Sequence, residues 1–420
     1  MKTKYYYGLD GSIVDNQLVD LFNLGTMDMV YSRERRNNVF NFVGFMFCGE
    51  NVLVVFPKHY CSESRIKILN TSNIECSKDI KLLYSVIRKF HNENDSKATA
   101  RKYIGPDNNY DSDYPLDAFY NIYNYFQKYG LYKQPSTKIV KGNGGKYSWK
   151  DILRKSDKII SNDNLIFWPL YVKKKNNSDV FITECMIFVI DYTLKIVHNF
   201  FSMKGTGRPE SKFDFINNVD FVIKELKKQQ NIVFKDVNKK LIMNLIIFFE
   251  EIKFKKFNGG RLRIKIDYFN VIWQQMVHSY LNNHFVCFDN IQNQIIFDES
   301  KSQSQYKFVE KSFNDFDISD NSFSITVDHF LKTDTEVFIF DSKYYRDIPG
   351  LNYKQFSYRE ILRYKFSSVD IYNVLILPGE EYSKIHFLLT PSYSGPRNDG
   401  CKIVEQYLEP QRIMIDYVKN

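Results

Sequence analysis

The stretch Thr335-Glu336-Val337-Phe338-Ile339-Phe340-Asp341-Ser342-Lys343-Tyr344-Tyr345 is a run of β-branched and aromatic residues that ends on an acid and a lysine separated by one residue. It reads as a buried strand, and because strand side chains alternate between faces, Asp341 and Lys343 project from the same one. Thirteen residues before Asp341, the strand-like run Phe323-Ser324-Ile325-Thr326-Val327-Asp328 delivers a second acid. A hairpin between the two runs would bring the carboxylates together. Two carboxylates beside a lysine can hold a hard divalent cation next to a proton-transfer group, which is the equipment for hydrolysing a phosphodiester.

Acid-x-lysine alone is a weak signal. Glu225-Leu226-Lys227, Glu251-Ile252-Lys253 and Glu299-Ser300-Lys301 match it too, and all three read as solvated surface charges. Asp341-Ser342-Lys343 differs because it terminates an apolar run, where an acid and a lysine are costly to desolvate unless they serve each other or a metal. The competing reading is a strand end that emerges into solvent. A helix predicted over 353–366 carries Gln355 and Tyr358, three apart and so on one face. Strands predicted over 371–377 and 384–390 would continue the sheet.

Composition bounds the rest. The chain has 420 residues, 44% hydrophobic and 25% charged, which is a globular balance with room for two or three domains. Aromatics reach 16%, but a coding sequence poor in G and C favours Phe and Tyr together with Lys, Asn and Ile, so they are not read as a base-stacking surface. The net charge of +9 suits a polyanionic partner and equally a basic proteome. Six scattered cysteines without a CxxC pair exclude a zinc-ribbon pattern. No stretch reaches the ~18–20 apolar residues of a membrane span, and the N-terminus lacks a signal-type apolar region. The expectation is a soluble, reduced, cytoplasmic bacterial protein.

Along the chain, a hairpin is predicted over 41–56 about Gly49-Glu50-Asn51, and helices over 79–92 and 117–129, with an exposed loop over 93–115. Gly142-Asn143-Gly144-Gly145-Lys146 lacks Walker A spacing and reads as a turn leading into a helix over 149–160, with Ser148 as its N-cap. Strands are expected over 164–171 and 180–190, joined by a basic loop at Lys173-Lys174-Lys175, and two helices over 211–254. The basic, Gly-ending segment 253–260 marks a boundary. The fold class is therefore α/β, with a mixed α+β N-terminal region over 1–255 and a C-terminal domain over 256–420 built on a central mixed sheet flanked by helices.

At Val327-Asp328 and Phe338-Ile339-Phe340-Asp341-Ser342-Lys343-Tyr344-Tyr345 the chain resembles the PD-(D/E)xK nuclease superfamily. More closely it is similar to the LlaJI-type restriction endonucleases, which are related to McrC, the nuclease partner of a GTP-driven AAA+ motor. Gln355-Phe356-Ser357-Tyr358 looks like the QxxY element of related nucleases. Gly142 to Trp149 and Ile166-Phe167-Trp168-Pro169-Leu170 look like stretches particular to the family. The resemblance implies that Asp328 and Asp341 hold Mg²⁺, with Mn²⁺ as a substitute. Lys343 would orient the attacking water or offset phosphate charge, and Gln355 and Tyr358 would support the site. It also implies double-stranded DNA as substrate, a separate McrB-like AAA+ GTPase as partner, and no membrane. Two departures stand out. The helix before the strands offers Gln274 and Gln275 where many members carry a glutamate, and Val327 replaces the motif proline. The first departure favours one metal over two and leaves open a non-catalytic DNA-binding or assembly subunit; a stand-alone endonuclease is the third reading.

Overall fold

In chain order the first segment runs β1 (Lys4–Leu9), α1 (Asn16–Phe22), β2 (Met29–Ser32), β3 (Asn37–Phe40), β4 (Val43–Cys48), β5 (Asn51–Phe56), α2 (Glu63–Ser72), α3 (Ser77–Asn94) and β6 (Tyr110–Asp111). The middle holds α4 (Leu116–Tyr129), β7 (Gln134–Lys141), β8 (Lys146–Tyr147), α5 (Trp149–Lys155), β9 (Asp157–Ser161), β10 (Asn164–Trp168), β11 (Tyr171–Ser178), α6 (Phe181–Ile196), α7 (Val219–Ile232) and α8 (Asp236–Phe254). The last segment begins with β12 (Arg261–Ile266), α9 (Phe269–His284), β13 (Phe285–Asp289), β14 (Gln294–Phe297) and β15 (Val309–Phe313). It continues with β16 (Ile325–Lys332), β17 (Glu336–Ser342), α10 (Tyr353–Lys365), β18 (Asp370–Pro378), β19 (Tyr382–Leu388), β20 (Lys402–Leu408) and α11 (Pro410–Lys419). This computed structural model describes residues 3–72, 74–94, 110–111, 114–161, 164–197, 203–209, 211–254, 261–266, 268–300, 303–316, 324–346, 348, 350–393 and 401–419. Most of the loop expected over 93–115, the end of the 253–260 boundary and Phe323 lie outside them.

The chain forms two compact units, Met1–Asp111 with Arg261–Asn420, and Ser112–Gly260. A single cut at 255/256 would separate the first 111 residues from the C-terminal part, whereas the structure groups them. The reason is β12, which lies between β4 and β6 in the five-stranded sheet β1-β5-β4-β12-β6. Its Lys265 pairs with Asp28 at 3.0 Å, both side chains 1% exposed. Breaking one partner of such a pair leaves an uncompensated buried charge, so β12 is tied to the N-terminal segment.

The architecture is mixed α+β, with mixed sheets flanked by helices. In the last segment the sheet order is β15-β16-β17-β18-β20-β19. β17, β18 and β20 are parallel, and the outer pairings are antiparallel. A parallel neighbour requires a crossover, and α10 supplies it between β17 and β18. One face carries Val337, Ile339, Leu375, Leu377 and Ile403 and packs on α10 through Leu362, Phe356 and Tyr358. The other face carries Phe338 and Phe340, whose rings meet Phe285 and Phe308. A strand buried on both faces reads as a continuous apolar run, which is why 335–340 has no polar alternation.

The second unit departs from expectation in three places. Residues 181–196 form a helix rather than a strand; a continuous apolar run does not distinguish the two, and its length decides for helix. Lys173-Lys174-Lys175 lie within β11, paired with β7, and not in a loop. The helix after Ser148 stops at Lys155, and 157–161 pairs instead with 164–168. Ser148 occupies the N-cap position, but its hydroxyl donates to the Asp151 carboxylate at 2.6 Å rather than capping a backbone N–H. The core of this unit is aromatic, with Phe188, Phe215 and Phe249 stacked at 4.6–6.0 Å.

Phe340 is fully buried between the sheet and the β13 region. Phe340→Ala is expected to destabilise the first unit by roughly 3–5 kcal/mol, read as a lower urea midpoint, whereas exposed Ile385→Ala shifts it by less than about 1 kcal/mol.

Candidate active site

The two acids meet because the register of the β16–β17 hairpin sets them opposite each other. β16 and β17 pair from Lys332↔Val337 to His329↔Phe340, and the next step places Asp328 opposite Asp341. On its other edge β16 pairs with β15 at Val309↔Phe330 and Lys311↔Val327, so Asp328 and His329 together oppose the single residue Glu310. This is a β-bulge, which re-aims side chains and breaks pairing locally. Asp328 thus lies within a strand that continues to Lys332, and not at a strand end as its sequence position suggested. Asp341 is the penultimate residue of β17, and Lys343 lies just beyond it, held by its N–H donating to the Ile376 carbonyl at 2.9 Å.

Asp341 is 1% exposed, and two lysines attend it. Lys343 Nζ contacts Oδ2, and Lys354 Nζ stands 3.5 Å from Oδ1. Asp328 is half-buried, and its carboxyl hydrogen-bonds to that of Asp341. Burial, then the Asp341 charge, then this hydrogen bond push Asp328 up to about 7. Burial also pushes Asp341 up, but Lys343 and Lys354 outweigh it and hold Asp341 below the ordinary carboxylate value. The environments of the two acids therefore separate them: Asp341 is held ionised, whereas Asp328 titrates near neutral pH. Lys354 is itself pulled down by burial, yet the charges of Asp341 and Asp328 leave it above its usual value.

The remaining singled-out residues lie nearby but not on the acids. Gln355 is fully buried beneath α10. Its N–H donates to the N-cap Asn352 Oδ1 at 3.1 Å, and its carbonyl accepts from Asn373 Nδ2 at 2.9 Å. Neither atom of its side-chain amide has a hydrogen-bond partner. Tyr358 packs against the Val327–Ile339–Leu362 cluster and carries Lys354 Nζ 5.2 Å over its ring. Lys354, which sequence reasoning passed over, is thus the side chain of α10 that reaches Asp341; its i, i+4 spacing to Tyr358 was the available signal. Gln275 faces elsewhere, donating to Glu93 at 2.7 Å and to the Tyr417 hydroxyl at 3.2 Å. Trp273 of the same helix donates through Nε1 to the Ile376 carbonyl at 3.4 Å.

Behind the acids, His329 is fully buried on the opposite face of β16. Its Nε2 is 2.7 Å from Ser342 Oγ and its Nδ1 is 3.1 Å from His278 Nδ1. Burial and the neighbouring His278 lower its pKa to about 3, so it is neutral. This chain fixes Ser342, the residue between Asp341 and Lys343. One residue beyond Lys343, the buried Tyr344 hydroxyl accepts from the Lys58 N–H at 2.8 Å and donates to Asp10. The strand end is held from both sides, by α9 and by the N-terminal sheet.

Among the described residues no group of three or more His, Cys, Asp and Glu side chains is placed to ligate a metal. Two carboxylates facing each other nonetheless fit a hard cation such as Mg²⁺, which keeps several waters and takes phosphate oxygens as ligands. No helix among the described residues is long and apolar enough to cross a membrane.

No known family model matches the chain, and no curated protein does. Among solved structures, a chain of the refined half-complex from a tetradecameric assembly of Thermococcus gammatolerans McrB AAA+ hexamers with bound McrC is similar at 12% identity, with a TM-score of 0.40, over 99% of this chain and 98% of that one.

The Asp328 shift has a sign that can be checked. Its folded value lies above the unfolded one near 3.9, so the stability it contributes is complete below pH ~4 and lost as pH rises towards 7. In metal-free buffer, Asp328→Asn is expected to be more stable than wild type at pH 8 by up to about 4 kcal/mol, with the gain vanishing by pH ~4. Thermal melts across this range read it; a gain that grows on acidification would contradict the assignment.

Proposed function

We propose that this chain is the nuclease subunit of a restriction system, cleaving double-stranded DNA phosphodiesters by Mg²⁺-dependent hydrolysis, with Mn²⁺ as a substitute. The observation that carries the reading is the buried Asp341 carboxylate, joined to Asp328 at a strand bulge and flanked by Lys343 and Lys354. Apart from a metal, such an arrangement has little use: the Asp341 charge pushes Asp328 up, and two lysines are spent on one carboxylate. Bound Mg²⁺ would polarise the phosphate and lower the pKa of a water ligand.

In this reading Asp341 and Asp328 are the ligands, and Asp328 gives up its proton when the site is loaded. Lys343, fixed by its backbone bond to Ile376, orients the attacking water or offsets charge on the phosphate. Lys354 balances Asp341 in the free protein and is then available to a DNA phosphate. Gln355 and Tyr358 shape the covering helix rather than touch the reacting atoms.

The partner is proposed to be a separate McrB-like AAA+ GTPase. The second unit offers a surface for it: Ile160, Leu165, Ile166 and Trp168 of the β9–β10 hairpin are exposed, as are Trp149 and Leu153 of α5. Exposed apolar side chains on this hairpin and on the helix before it suit protein contact more than nucleic-acid contact. The amide Gln274, on the helix where many related nucleases carry a glutamate, favours a second reading, a non-catalytic subunit that keeps the fold.

Plasmid cleavage with the purified partner motor, GTP and Mg²⁺ separates them. Asp341→Ala and Lys343→Ala are each expected to reduce cleavage by at least ~10²-fold while leaving DNA retention in Mg²⁺-free shift assays intact. Undiminished cleavage by either variant would sink the assignment. Absence of Mg²⁺-dependent cutting by wild type under every partner condition would select the second reading.

A further inference from the structure

The segment that leaves the acid site runs onto the N-terminal sheet. Arg346 lies three residues past Lys343, its Cα within ~11 Å of that of the lysine. Tyr344, between them, is fixed by Lys58, whose N–H donates to the Tyr344 hydroxyl at 2.8 Å and whose Nζ donates to the Tyr344 carbonyl at 3.4 Å. Lys58 Cε and Arg346 Nε lie together over Gly11, 3.6 and 3.7 Å from where a β-carbon on that glycine would stand. From the other side comes the turn Arg33-Glu34-Arg35-Arg36, which joins β2 to β3. Its Arg35 reaches Glu63, the first residue of α2, and so does Arg346.

Two guanidinium groups converge here on a single oxygen. Arg35 Nη2 stands 2.8 Å and Arg346 Nη2 2.7 Å from Glu63 Oε1. Among the described residues no second carboxylate lies within ion-pair distance of either arginine. Arg346 Nε is buried and has no hydrogen-bond partner among them. One carboxylate cannot neutralise two arginines, so a positive charge is left over. The Glu63 side chain is 45% exposed, so it can swing into water without being stranded. Arg33 and Arg36 are exposed beside this pair, and Glu34 is the one acid of their turn. Guanidinium groups in surplus over a hydrated carboxylate favour an anion with several oxygens, and a phosphate takes the planar fork through two bonds at once.

Position decides which phosphate. The cationic band starts at the lysine of the acid site and continues without a break in the chain, and the ~11 Å from Lys343 to Arg346 spans about three nucleotides of a duplex strand. A row of phosphates matches such a band, whereas a lone anion would use one end of it. We infer that Arg35 and Arg346, with Arg33 and Arg36 beside them, bind the backbone of double-stranded DNA next to the phosphate held at the acids, the DNA displacing Glu63 from between the first two. Contacts of this kind set register and orientation and carry no base readout. The N-terminal segment then contributes to substrate binding as well as to the sheet. The inference rests on the nuclease reading, which places DNA at the acids.

Fluorescence anisotropy of the full-length chain on a labelled DNA duplex, in EDTA and across a salt series, tests it without metal or cleavage. Arg35→Gln/Arg346→Gln is expected to weaken binding by at least about tenfold and to lower the salt slope by about 2, equally on unrelated sequences. Arg33→Gln/Arg36→Gln, whose side chains lie in solvent and whose folding is therefore secure, is expected to weaken it by at least about threefold. Glu63→Gln removes the competing anion and is expected to tighten binding several-fold, which a carboxylate that merely ties two segments together would not do. The inference is overturned if wild type does not bind the duplex, if either arginine pair with wild-type melting behaviour binds as wild type does, or if Glu63→Gln binds no tighter. Binding that follows these expectations without any Mg²⁺-dependent cleavage overturns the nuclease reading alone; cleavage with binding unchanged in both arginine pairs overturns the DNA-backbone assignment alone.

Discussion

A carboxylate buried to 1% exposure at the end of a central strand is the constraint around which the first unit is organised. Desolvation alone would neutralise Asp341, and the neighbouring Asp328 would add to the cost. Two lysines reverse the sign for Asp341 and leave Asp328 to take the proton. The result is one ionised acid in contact with one that titrates near neutral pH, so the second negative charge is held only weakly in the free protein. A cation would change that balance by replacing the shared proton.

Such a balance requires the strand end to stay where it is, and the surrounding structure supplies this from three directions. Neutral His329, between His278 and Ser342, pins the residue separating the acid from the lysine. Tyr344, between Asp10 and Lys58, pins the residue after the lysine. The Lys343 N–H is fixed on β18. The second of these ties the N-terminal segment to the same compact unit as the acids, although residues 112–260 intervene in the sequence. A frame built from distant segments positions side chains better than a loop does.

The strand, its two end residues and the pairing acid were legible because they rest on local rules: apolar continuity, period-two alternation and a short hairpin. What escaped were features set by tertiary pairing. The bulge opposite Glu310 has no signature in Ile325-Thr326-Val327-Asp328-His329. Lys354 looked like any helix-surface lysine until α10 was laid over β17. The aromatic and aliphatic run 181–196 satisfied strand and helix patterns equally, and the basic run 173–175 was read as a loop because charge is a poor guide to backbone state on an exposed strand. The unit division was hidden for a similar reason: β12 is a short strand whose β4 partners lie more than 200 residues upstream.

Helix α10 shows how electrostatics couples these parts. Its first turn carries Lys354, a cation at the positive end of the helix dipole, which costs about 0.3–1 kcal/mol in isolation. Its last turn carries Arg363 and Lys365, where cations are favoured. The favourable placement needs no explanation, but the unfavourable one does, and Asp341 at 3.5 Å provides it. The same residue that requires a lysine to stay ionised therefore supplies the attraction that holds that lysine against the dipole. Removing the charge on Asp341 should release both, which makes the first turn of α10 and the end of β17 a single electrostatic unit rather than two neighbouring elements.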